Sequence, residues 1–205
     1  MPDFEKALAE ITLIRSQMAR GMEFRGLGAA TLAATGGLAL LGALAQALWL
    51  EEPARHVENY LLLWLGIAAA SVILIGVETV TRTARAHSGL AQEMIVAAIE
   101  QFAPAAVAGA LMTFVLYETA PMVLWMLPGL WQIVLGLGVV ASRRSLPPAV
   151  AGAGLWYLAS GLACLATAGG DHAFSPWAMG LPFGIGQVLI ALVVHRHGGG
   201  ADGEA

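Results

Sequence analysis

Charge is scarce in this chain: 12% of its 205 residues are Asp, Glu, Lys or Arg, against about a quarter in an ordinary soluble domain. Together with 58% hydrophobic residues and a mean hydropathy of +0.74, this shortage excludes water as the main solvent. Cysteine is reduced to Cys164, so no disulfide forms within the chain and the redox compartment stays open. Lysine is reduced to Lys6 beside nine arginines, which with the abundant Ala and Gly fits a high-GC bacterial coding bias. No basic surface suited to nucleic acid is present, because each cation flanks an apolar segment. Enzyme signatures are missing as well: no H-E-x-x-H, no G-x-S-x-G and no pair of aspartates inside the apolar segments. The expectation is a protein without enzymatic activity, cofactor or metal.

What the chain does contain is six apolar stretches, approximately Leu27 to Leu50, Tyr60 to Val80, Ile95 to Tyr117, Met122 to Ala141, Ala149 to Ala168 and Trp177 to Val194. Crossing a hydrocarbon core of roughly 30 Å takes about 20 apolar residues. The fold class that follows is an all-α, polytopic bundle of six transmembrane helices in contact with the lipid bilayer. Its expected parts are an amphipathic N-terminal helix over 1–25, a transmembrane domain over 26–197 and a flexible tail over 198–205. The first stretch is read as a retained helix, since Asp3, Glu5, Glu10 and Glu23 precede it and it exceeds the h-region of a signal peptide.

Short loops rich in Lys and Arg stay cytoplasmic. Lys6, Arg15, Arg20 and Arg25 precede the first span, Arg82 and Arg85 follow the second, Arg143 and Arg144 the fourth, and Arg196 the sixth. Arg55 alone falls on the other side, among Glu51, Glu52, Glu58, Glu118 and Asp171. Both termini are therefore expected inside, in an inner-membrane protein. Trp64, Trp125 and Trp177 stand 18, 18 and 19 residues before Arg82, Arg143 and Arg196. Such an interval spans about 27 Å, so tryptophan at one boundary and arginine at the other read as interfacial anchors.

Phe4, Leu8, Ile11, Met18 and Met22 recur at helical spacing with Asp3, Lys6, Glu10, Gln17 and Arg20 on other faces. A helix over residues 4–22 of this kind lies in the interface, covers the bundle or docks a soluble partner.

The fourth and sixth spans share a pattern: Pro121, Trp125, Pro128 and Gln132 in one, Pro176, Trp177, Pro182 and Gln187 in the other. Proline inside a helix leaves the carbonyl four residues earlier without its N–H, which frees the oxygens of Leu124 and Ala178. Pro104 does the same to Glu100 in the third span. In lipid such a carbonyl needs another partner. Two readings follow: a polar vestibule lined by the kinked spans, or kinks whose glutamines bond neighbouring helices.

The acidic residues nearest the inner boundary are Glu78, Glu93 and Glu100, with Gln101 beside them. Ionisable groups in a membrane mark ion pathways by default, while Glu78 four residues before Arg82 also has the spacing of an interfacial ion pair. Depth decides between these readings. Glu52 with His56, and Asp171 with His172, offer carboxylate and imidazole in two loops without the spacing of a zinc or haem site. His195 and His197 sit where they serve the end of the last helix. Small residues at Ala29, Ala33 and Gly37 in the first span, and at Ala153, Gly154 and Gly161 in the fifth, suit close helix contact.

The run from Trp125 to Arg144, WMLPGLWQIVLGLGVVASRR, and the later AGGDHAFSPWAMGLPFG resemble stretches of bacterial inner-membrane proteins of about this length. The resemblance implies a six-helix bundle of that membrane and brings no site residue with it. Two functions remain: an interaction, accessory or sensory protein, or a carrier or channel for a small solute or ion. Labelling from each side of the membrane checks the topology. Thiols introduced near both ends react from the cytoplasmic side alone, and one at Glu52 reacts from the opposite side.

Overall fold

A computed structural model describes residues 28–86, 89–142, 148–167, 172 and 174–198, with the side chains at 82–86, 89–99, 101, 197 and 198 excepted. Every regular element among them is helical: α1 (Ala29–Trp49), α2 (Val57–Ala86), α3 (Gly89–Thr119), a 3-10 turn (Pro121–Met126), α4 (Leu127–Ala141), α5 (Val150–Thr167) and α6 (Pro176–Gly198). Six segments are long and apolar enough to cross a membrane, α4 doing so together with the 3-10 turn. The amphipathic helix expected over 1–25 and the tail over 198–205 lie outside the described residues, Gly198 apart.

Pro128 sits at the start of α4 rather than in the body of a continuous helix. The preceding 3-10 turn gives the Leu124 carbonyl the N–H of Leu127, so the oxygen that the proline denies its usual donor is met by the backbone. Proline is tolerated in a first turn because no helical partner is lost there. Pro104 and Pro182, by contrast, lie inside α3 and α6.

The helices form three antiparallel hairpins, α1/α2, α3/α4 and α5/α6, each tied by a hydrogen bond from an aromatic side chain. Trp64 Nε1 donates to Gln46 Oε1 at 2.7 Å in the first, and Trp131 Nε1 donates to Thr113 Oγ1 at 2.8 Å in the second. In the third, Trp156 Nε1 donates to the Pro182 carbonyl at 3.0 Å. All three turns fall at one end of the bundle, here called the turn end. There Tyr60 packs its ring against Phe174, 4.8 Å between centroids, and lies parallel to Trp131 at 6.5 Å.

Neighbouring hairpins meet through glycine. Apolar side chains gain nothing by leaving lipid for each other, so helix association in a membrane depends on close packing. On α4 and α5, Gly129 faces Gly161 and Gly136 faces Gly154. A Cβ on Gly136 would lie 2.8 Å from the Gly154 carbonyl oxygen, and one on Gly161 would lie 2.7 Å from that of Gly129. Between α6 and α1, Gly180 rests on Ala43, and a Cβ on Gly36 would lie 3.1 Å from the Gly184 carbonyl. These two seams, α4/α5 and α6/α1, are the most extensive contacts in the bundle, whereas few contacts join α2 and α3 among the described residues.

Gly36, not Gly37, makes the α1 contact: no atom lies within 4 Å of a Cβ on Gly37. Of the Ala29, Ala33 and Gly37 series, Ala29 packs against the core while Ala33 is exposed and Gly37 stands one position off the packed face. Gly154 and Gly161 of α5 are packed as their spacing suggests.

Burial follows the seams. Only 6% of Phe102–Thr119 and 17% of Val57–Thr81 are buried, while the other four spans reach 33–44%. A four-helix core, α1, α4, α5 and α6, therefore carries α2 on one flank and α3 on the other. Gly136→Val forces α4 and α5 apart and is expected to destabilise the bundle by about 1–3 kcal/mol. Gly152→Val, at a position with nothing within 4 Å, is expected to leave stability unchanged. Reversible unfolding in mixed detergent micelles measures both.

Candidate functional site

The polar groups of the core converge on the break in α6. Pro182 has no N–H, so the Ala178 carbonyl lacks its helical donor. Gln132, reaching from α4, supplies one: its Nε2 donates to the Ala178 carbonyl at 2.8 Å and to the Pro128 carbonyl of its own helix at 3.1 Å. Both amide hydrogens are thereby used. Gln132 is 0% exposed, and its Oε1 has no donor among the described residues.

The helix α5 addresses the same stretch of α6 one turn further on. Trp156 donates to the Pro182 carbonyl, as above, and the Tyr157 hydroxyl reaches the Phe183 carbonyl at 3.5 Å. Tyr157 is wholly buried because Gly186 leaves room for its ring, and Gln187 lies beside its hydroxyl. Gln187 Oε1 is a second buried amide oxygen without a partner among the described residues. Three donor side chains from two helices thus line up on three carbonyls of a third.

A third amide, Gln46, completes its bonding within the protein. Its Nε2 donates to the Phe174 carbonyl at 2.7 Å while its Oε1 accepts from Trp64. That bond ties the segment leading into α6 to α1 and α2. The hydroxyl of the neighbouring Tyr60 is buried without a partner among the described residues. An unpaired buried polar atom costs about 1–3 kcal/mol.

The acidic candidates stand apart from this seam. Glu78, on α2, is half-buried and its carboxylate rests on Gly28, where a Cβ would overlap it. This places a carboxylate at the positive end of the α1 dipole, whose first turn holds no acidic residue of its own. Glu100 is exposed on α3, as is Pro104. Glu93 and Gln101 lie on α3 with side chains outside the described set. In the loop after α1, Glu52 pairs with Arg55 at 3.0 Å and His56 Nδ1 lies 3.7 Å from Glu58, all on the surface. Among the described residues no group of His, Cys, Asp or Glu has the arrangement of a metal site.

The sequence pattern singles out Gln132, Pro182 and Gln187 but misses Gln46, Tyr60, Thr113, Trp131, Trp156 and Tyr157. One signal is available for two of them: Trp64 follows Gln46 by 18 residues, and Trp131 follows Thr113 by the same interval. Chemically the seam offers amides, an indole and a phenol. Such groups hold a neutral or donor-rich species by hydrogen bonds and transfer no proton near neutral pH. Compared with protein-family models, curated proteins and solved structures, the chain matches none.

Replacing Gln132 by Leu leaves the Ala178 carbonyl bare but also removes an unpaired oxygen, so the expected loss is about 1 kcal/mol. Gln46→Leu orphans both the Phe174 carbonyl and the Trp64 N–H, and its expected loss is about twice as large. Unfolding of the two variants in the same micelles checks the order, and a larger loss at Gln132 contradicts it.

Proposed function

We propose that the chain is an integral membrane protein without enzymatic activity that works through protein contact, as an accessory or sensory component of a bacterial inner membrane with both ends cytoplasmic. The observation that carries this reading is the division of the bundle into a packed core and two uncovered flanks, α2 and α3. Val72, Ile73 and Val77 on α2 and Val107, Leu111 and Phe114 on α3 are exposed together with the small residues between them. The partner fitting such a surface is a transmembrane helix of another protein, because close helix contact in lipid is made by small and β-branched side chains. Residues 4–22, with their helical apolar spacing, supply a second contact for a cytoplasmic partner or the headgroup region.

A second reading, a pathway for a small solute or ion, has the unpaired oxygens of Gln132 and Gln187 in its favour. In that reading Glu78, Glu93, Glu100 and Gln101 mark the inner end, and the Pro104, Pro128 and Pro182 helices shape the path. It ranks second because the carbonyl freed at Ala178, the group a solute would have met, already holds Gln132.

A photoreactive amino acid placed at Val72 or Phe114 is expected to yield protein adducts in native membranes. At Leu155 and Leu162, exposed on α5, the same probe is expected to yield lipid adducts only. Lipid adducts at all four positions count against the contact reading. Solute flux in liposomes that disappears in Glu100→Gln puts the pathway reading first.

A further inference from the structure

Pro182 divides α6, and the two parts are held differently. The part before it is clasped by the Gln132 amide of α4, which donates to the Ala178 carbonyl at 2.8 Å. The part after it faces the phenol of Tyr157 on α5, where the polar groups meet at longer range. The Tyr157 hydroxyl stands 3.5 Å from the Phe183 carbonyl, whereas O–H···O bonds cluster near about 2.8 Å. Beside the hydroxyl lies the Gln187 side chain. Gln187 is half-buried, but its Oε1 is enclosed and has no donor among the described residues.

The enclosure comes from three helices. Tyr157 is 0% exposed, and its ring is seated against Gly186, where a Cβ would overlap the phenol. Gln187 is backed by α1, its Cβ lying 3.1 Å from the place of a Cβ on Gly36. It stands 11 residues after Pro176 and nine before Arg196, the ends of the sixth span, and so lies near mid-membrane. Lipid at that depth offers an oxygen no donor.

We propose that a single water molecule is held between α5 and α6 near mid-membrane, accepting from the Tyr157 hydroxyl and donating to Gln187 Oε1 and to the Phe183 carbonyl. A phenol donates, while an amide oxygen and a carbonyl with a spare lone pair accept. One molecule that accepts once and donates twice therefore satisfies all three, and about three bonds is the usual complement of a buried water. The molecule is neutral: two oxygens repel an anion, and neither α5 nor α6 carries a carboxylate to balance a cation. Immobilising one water costs less than leaving these groups bare. The water completes, from α5, the hold on α6 that Gln132 provides from α4. It goes beyond the contact reading and is independent of it, since every partner of the water lies within the chain.

Radiolytic footprinting in native membranes tests this on the unaltered protein. A brief X-ray pulse converts bound water to hydroxyl radical, which adds its oxygen to side chains in contact with it. In protein equilibrated with water of a heavy oxygen isotope, Tyr157 is expected to take up the label, whereas Leu127, also 0% exposed, is not. Gln187→Leu is expected to abolish the label at Tyr157. Reversible unfolding in mixed micelles then measures the bridge. Tyr157→Phe is expected to lower the folding equilibrium constant about fivefold, and by less than about twofold once Gln187 is replaced by Leu. Absence of label at Tyr157 in the unaltered protein overturns the proposal even where a variant fails to fold, and coupling of the two residues without label assigns a direct bond between them. Label that survives Gln187→Leu, or an equal loss on Tyr157→Phe in both backgrounds, overturns it as well, because the hydroxyl then has another partner.

Discussion

A carbonyl stripped of its helical partner in hydrocarbon has no water to turn to, and the rest of this bundle is arranged around that constraint. Pro182 creates such a carbonyl at Ala178. The answer comes from a different helix, as the Gln132 amide, and reinforcement comes from a third as the Trp156 indole and Tyr157 phenol. The break in α6 is thereby the place where three helices are held in a single mutual orientation. Gln46 repeats the solution at the turn end, where it joins the carbonyl before α6 to the tryptophan of α2.

Directional bonds of this kind act only if the helices come close, and closeness here is a matter of side-chain size. Gly129 with Gly161 and Gly136 with Gly154 let α4 and α5 approach until carbonyl oxygens stand where side chains would be. Gly36 and Gly180 do the same for α1 and α6. Because lipid is as apolar as leucine, bulky residues contribute little selectivity between neighbours, and the bundle turns them outward. Leu48, Leu62, Leu155 and Leu162 all face away from the core.

The six spans are legible in composition alone, since each apolar run is long enough to cross a bilayer and is bounded by charge or turn residues. The polar seam is legible in part. Pro182 announces a free carbonyl, and Gln132 is an amide in need of a partner. Their meeting depends on α4 lying beside α6, which no pattern along the chain specifies. The contact face of α1 differs by a single position from the one its spacing suggests, Gly36 for Gly37, because glycine and alanine are so frequent there that several stripes look alike. Trp64 reads as a boundary anchor. It lies inside the span Val57–Thr81, buried against the neighbouring helices, and donates to Gln46, a role that needs the partner helix in view. Pro128 looks like an interior kink because a 3-10 turn and the first turn of an α-helix read alike as apolar sequence.

The aromatic cluster formed by Tyr60, Trp64, Trp131 and Phe174 has a mechanical meaning. It lies where the hairpins turn and brings together side chains of α2, α4 and the segment before α6, so that end of the bundle is tied by stacked rings and by the Gln46 and Trp131 hydrogen bonds as well as by close packing. A ring lost from it loosens several helices at once, because each of its side chains bridges elements far apart in the sequence.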